Sequence, residues 1–191
     1  MLSPKVKELI TKARIVSFET WTDSYPPELI AVFQAADDES RYLTDADFEV
    51  ILQAAPSLEK SAAIAKSLRD NATNIVSQAR VNVLAEFPGI TDEGGELYPA
   101  FRADACWRDF WHFLRCVTYG ITTDRTDYTS KAGLGFMEQL YQELKVPLPA
   151  MLCGIQGLKT VSLSYVEKDV DIKFAQSFDH LLTQLQQFSR R

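Results

Sequence analysis

The run FRADACWRDFWHFLRCVTYGI, residues 101–121, places unlike chemical groups at helical spacing. At about 100° per residue, Arg102, Cys106, Asp109 and Phe113 fall on one stripe, separated by four, three and four positions. A thiol can form a covalent bond, and a guanidinium and a carboxylate make charge-assisted hydrogen bonds. Arg108, two residues past Cys106, is long enough to reach round to the same side. An ordinary apolar face would not carry this set. Spacing by itself nevertheless favours a plainer reading: an exposed, ion-paired face on which Arg102 and Asp109 meet neighbours and Cys106 is a small filler.

The elements that must position this stripe read as helical almost throughout. Ser3-Pro4 is a helix start, followed by Val6, Leu9, Ile10 and Ala13 on one face. Pro26-Pro27 breaks the chain, Glu28 to Ala36 reads as a second helix, and Asp37 to Ser40 as a polar turn. Thr44 can cap a third helix running to about Ala54, ahead of Pro56. Ile64, Leu68, Ala72, Ile75, Ala79, Val83 and Phe87 step by three or four, which predicts one long helix from about Ser57 to Phe87. Pro88-Gly89 ends it, and GITDEGGELYP is turn chemistry. Further helices are expected over about 101–121, 130–144, 147–165 and 170–188; VSLSYV comes closest to a strand period and is left helical. Seven or eight helices with short connections imply an all-α bundle or globin-like packing.

With 191 residues and 46% hydrophobic composition, the chain suits a single domain over 1–191 with a continuous core. A formal net charge of -6 with 24% charged residues lacks a basic nucleic-acid footprint and makes a basic membrane patch unexpected. Three cysteines, Cys106, Cys116 and Cys153, with no CxxC pair, argue against a disulfide framework and for a reducing compartment. No apolar run approaches the roughly 20 residues of a membrane helix, and MLSPKVKELITK lacks a secretory core, so a soluble protein that stays where it is made is expected.

Motif order adds what spacing cannot. Gly94, Gly95 and Tyr98 precede Cys106-Trp107-Arg108-Asp109, and Leu114-Arg115-Cys116-Val117-Thr118-Tyr119 follows. In this order the chain resembles the phycobiliproteins (phycocyanins, allophycocyanins and relatives), in which a glycine-paired loop leads into a helix bearing Cys-x-Arg-Asp. NATNIVSQARVNVLAEFPGI and LKVPLPAMLCGIQGLKTVSL are also similar to their counterparts, and the likeness spans roughly residues 28 to 189. The resemblance implies an all-α, globin-like phycobiliprotein fold, with residues 1–44 as an N-terminal helical hairpin or extension and 45–191 as the body. It implies a light-harvesting subunit rather than an enzyme, carrying a covalently bound phycocyanobilin-type linear tetrapyrrole (a bilin). Cys106 would form the thioether, Asp109 would accept the inner pyrrole N–H groups, and Arg108 and Arg102 would pair with the propionates. Tyr119 is counted with them as pigment-binding. Arginine is the natural fork for a carboxylate. A pocket that pins propionates and ring nitrogens would hold the pigment extended. Implied partners are a phycobiliprotein-like subunit or a second copy, and other phycobilisome components, on the cytoplasmic or stromal side of the thylakoid without membrane insertion.

Some residues depart from the family pattern. Glu96 stands where an asparagine is common, Cys116 where many relatives carry tyrosine, and the first 27 or so residues are longer than the usual hairpin. A second reading follows, an unpigmented interaction or regulatory protein of the antenna. A third, a globin-like haem protein, would use His112, which lies about 240° round the helix from Cys106 and off its stripe. His112 and His180 read as polar surface histidines, Cys153 as a helix filler, and Asp37-Asp38-Glu39 as a solvated turn without chelating spacing. No catalytic dyad or metal cluster emerges, and the glycines of KAGLGFMEQ follow no strand. The amino-terminal helices are expected to turn an apolar face to a partner.

Overall fold

The computed structural model describes residues 2–166 and 171–189. Nine α-helices occupy these residues: α1 (Pro4–Lys12), α2 (Pro27–Asp38), α3 (Asp45–Ala54), α4 (Glu59–Asp70), α5 (Ala72–Glu86), α6 (Ala100–Thr122), α7 (Lys131–Leu144), α8 (Leu148–Leu163) and α9 (Asp171–Gln186). The helix expected over 170–188 therefore appears as α9, although Val170, its expected start, lies outside the described residues.

Local chemistry sets most boundaries. The Ser3 hydroxyl accepts from the Val6 amide, with Pro4 in the first turn of α1. Thr44 and Asp47 form a reciprocal capping box that starts α3. Ser130 caps α7 through the Gly133 amide, and α7 ends at Lys145 in the left-handed conformation, φ 50°. Between α4 and α5 the structure differs from the expected single helix. Asn71 donates its side-chain amide to the Ser67 carbonyl at 2.8 Å and takes φ -106°, ψ 7°, which interrupts the helix there.

The core lies where α6, the longest helix, is covered by α4, α5, α8 and α9, with α5 running along α8 and α1 along α7. Gly133 of α7 lies close against the segment that follows α1: a Cβ there would come within 2.0 Å of the Arg14 carbonyl oxygen. Tyr128 ties the body together from the loop after α6, donating its buried hydroxyl to the Ser177 carbonyl of α9.

The amino-terminal segment does not stand away from the body but is seated on it. Phe18, Trp21, Leu29 and Phe33 are buried in the chain's own core. Phe18 and Phe33 also pack on Tyr119 of α6, with ring centroids 6.1 and 5.8 Å away. The Ser17 amide donates to the Tyr128 carbonyl, the Ser130 amide to the Ile15 carbonyl, and Tyr25 donates its hydroxyl to the Thr123 carbonyl. The physical reason is the aromatic content of the segment: rings this large would cost more exposed to water than the ordering of the segment costs.

Candidate functional site

Cys106 and Asp109 project from one side of α6, close enough that a carboxylate at Asp109 pushes the thiol pKa up. Burial contributes more to that shift, and together they lift Cys106 to about 12. Across from them stand Tyr141 of α7 and Met151 of α8. The Cys106 Sγ lies 3.1 Å from the Met151 Sδ. Tyr141 buries its hydroxyl without a hydrogen-bond partner among the described residues, and its pKa is raised by burial first, then by the negative forms of Asp109 and Cys106. Its ring meets Phe188 edge-on at 5.8 Å. Tyr141 and Met151 are site residues the sequence reading missed. They lie on other helices and belong to no motif.

Asp109 is half-buried, and burial lifts its pKa to about 6 while the Arg108 guanidinium pulls it down. Arg108 itself is exposed. A carboxylate and a phenol held out of water beside a thiol are polar demand that a ligand with N–H and C=O groups would meet. The residues present therefore fit a covalently held heterocycle with inner N–H donors.

The linkage of Asp109 makes a test in the pigment-free chain. Its folded pKa lies above the unfolded value of 3.8, so this contribution to stability is full below that value and is lost as pH rises through about 6. Asp109→Asn, of nearly the same shape but neutral, is expected to outlast the parent in urea by about 2 kcal/mol near pH 8 and to match it near pH 4. Equal midpoints at both pH values would mean that the carboxyl is not held out of water.

The structure does not bring every expected residue to this place. Arg102 is half-buried and spends its Nε on the Glu96 carbonyl and an Nη on the Lys145 carbonyl, at 3.0 and 2.9 Å. It ties the glycine-rich loop to the end of α7. Tyr119 is 13 residues beyond Cys106, about 20 Å along the helix axis. Its hydroxyl donates to the Arg41 carbonyl and accepts from Arg115 at 2.7 Å.

Tyr119 belongs instead to a second buried polar group. Arg115 Nη1 donates to Asp37 Oδ1 at 3.0 Å, with both residues almost fully buried. Arg14 reaches the other Asp37 oxygen at 3.4 Å from the half-exposed side. Asp37 is thus not part of a solvated turn, because a guanidinium on α6 receives it. Cys116, beside Arg115, is fully enclosed and pushed up to about 12, chiefly by burial.

The two histidines also differ from their sequence reading as surface residues. His112 is half-buried against the edge of Trp111, and burial, with Arg115 and Arg108 nearby, pulls its pKa down to about 4. His180 is half-buried with its Nε2 2.7 Å from the Thr129 hydroxyl. Cys153 is half-buried on α8. Among the described residues no three His, Cys, Asp or Glu side chains gather as a metal site, and no helix is long and apolar enough to cross a membrane.

Comparisons with known proteins bear on this arrangement. The family model described as "Phycobilisome protein" matches residues 31–185. The allophycocyanin alpha-B chain of Cyanidium caldarium is 31% identical over 153 residues, covering 80% of this chain and 94% of the relative. The allophycocyanin alpha chain of Cyanophora paradoxa is 30% identical over 151 residues, 79% of this chain and 94% of that one. The allophycocyanin subunit alpha-B of Synechocystis sp. is 28% identical over 151 residues, with the same two shares.

Proposed function

Because the chain belongs to the phycobilisome protein family, we propose that it is a light-harvesting subunit that holds a linear tetrapyrrole covalently at Cys106 and passes excitation energy on within the phycobilisome. The observation that carries this reading is the pairing of Cys106 with Asp109 on one side of α6, opposite a buried Tyr141 hydroxyl that has no hydrogen-bond partner among the described residues. The bound pigment supplies visible absorption. The chain's residues supply its restraint.

In this reading Cys106 tethers the pigment as a thioether, and Asp109 accepts from its inner N–H groups, so burial that penalises the carboxylate in the free chain becomes a reason to bind donors. Arg108, exposed beside Asp109, would be the cation that pairs with a propionate. Arg102, already committed to two backbone carbonyls, serves first to hold the loop at the helix entrance. A phycocyanobilin-type bilin is the pigment proposed. The proposed partners are a phycobiliprotein-like subunit or a second copy, together with other phycobilisome components. The proposed location is peripheral to the thylakoid, on its cytoplasmic or stromal side.

Co-production with phycocyanobilin-forming enzymes and a bilin lyase tests the reading. The purified protein is expected to show a visible band whose colour survives acid–urea denaturation. Colourless protein under conditions that pigment an allophycocyanin alpha chain would remove the antenna role.

A further inference from the structure

Residues 13–25 cross between α1 and α2 as a strap, and the strap sits on the body as a bound peptide would. It lies ahead of the family match, which begins at residue 31, while Phe33, Asp37, Tyr119 and Tyr128, on which it rests, lie within that match. Phe18 and Trp21 bury their rings against Phe33, at 5.8 and 5.1 Å. Backbone around Val16 pairs with backbone around Thr129 in an antiparallel bridge. At the rim, Arg14 reaches one oxygen of Asp37 and one of Asp38, each at 3.4 Å. We propose that this seat takes the strap of a second copy as well as its own, so that two chains pair by exchanging α1 and the strap.

These contacts favour a second copy over other occupants. The seat asks for two rings, a strand-like edge and a cation in a fixed order, and another copy's strap supplies all of them in register. Exchange re-forms every contact of the closed chain, including those of α1 with α7. Its cost is therefore the lost freedom of the second chain and any strain at the join. The join is Pro26-Pro27, with Pro26 extended at φ -68°, ψ 152°. Two prolines leave it few alternatives, so α1 and the strap swing as a unit. The rim charges set the choice of seat rather than the depth of binding, because Arg14 and Asp38 are half-exposed. Nothing in this depends on a pigment, and the pigment-free chain serves for the test.

Val16 and Thr129 are flanked by the Ser17-to-Tyr128 and Ser130-to-Ile15 hydrogen bonds, which makes them a closely spaced, non-hydrogen-bonded pair. Val16→Cys with Thr129→Cys is expected to close a disulfide, within one chain when the strap is on its own body and between chains when it is exchanged. The double variant is refolded from urea at about 1 μM and at about 200 μM, oxidised, and run without reductant. Dimer linked between positions 16 and 129, as read by peptide mass spectrometry, is expected to be roughly tenfold or more abundant at the higher concentration. A second pair of variants alters only half-exposed side chains. Arg14→Glu and Asp38→Arg each set like charges across the rim of their own seat, and mixing them restores attraction only where a strap seats on the other chain. Sedimentation is expected to show the mixture dimerising roughly tenfold more tightly than either variant alone. Should the cysteine pair not fold, the charge pair decides. Exchange is overturned if linked dimer does not rise with concentration, if positions 16 and 129 link only within a chain, or if the mixture associates no better than its parts. Pairing with a purified allophycocyanin alpha chain in place of a second copy, the 16–129 link staying internal, would overturn it too.

Discussion

Cys106→Ala is expected to abolish all colour that survives acid–urea, while Cys116→Ala and Cys153→Ala keep it. The three thiols differ in what surrounds them. Cys116 is sealed beside Arg115 and has neither an acid facing a ligand space nor a route to one. Cys153 is the most accessible of the three, yet burial and Glu86 both raise its pKa, and no buried polar group stands unmet beside it in the way that Tyr141 stands beside Cys106. Reactivity toward general reagents and competence for attachment are thereby separated. Absorbance before and after denaturation, with the mass of the modified peptide, decides the matter, and a pigmented Cys106→Ala chain would reassign the site.

The largest effect on stability is expected at Asp37 and Arg115. Asp37→Ala leaves a guanidinium buried with no counter-charge, a change that typically costs about 3–5 kcal/mol. That is a large share of the roughly 5–15 kcal/mol by which a domain is stable. Arg115 has no easy second partner, since its Nε is already buried without one and its Nη1 serves both Asp37 and Tyr119. The double change Asp37→Leu with Arg115→Met removes both charges and is expected to recover most of the loss. Urea midpoints for the two singles and the double measure the coupling. Singles within about 0.5 kcal/mol of the parent would show the pair to be solvated.

These two groups also show what the sequence could and could not yield. The Cys106–Asp109 stripe is legible because a helix converts spacing into a shared side, and both residues lie on one helix. Tyr141 and Met151 stand beside the candidate site from α7 and α8, and only the packing of those helices reveals them. Asp37 misleads because its neighbours Asp38 and Glu39 make a local pattern typical of surface turns, while its partner lies 78 residues away. The break at Asn71 is hidden for the opposite reason: Leu68, Ala72 and Ile75 keep the apolar stripe in phase across it, so periodicity has nothing to report. Caps, by contrast, are local chemistry, and Ser3, Thr44 and Ser130 start their helices where the sequence suggests.

The seating of the amino-terminal segment on its own body has a consequence for the order of events during synthesis. This segment leaves the ribosome well before α6, yet Tyr25 finds its acceptor 98 residues later and Thr20 finds its own 107 residues later. Contacts so distant in sequence carry the largest loop-closure cost and form late. The nascent chain therefore holds Trp21 and Phe33 in waiting until α6 and the loop after it have emerged.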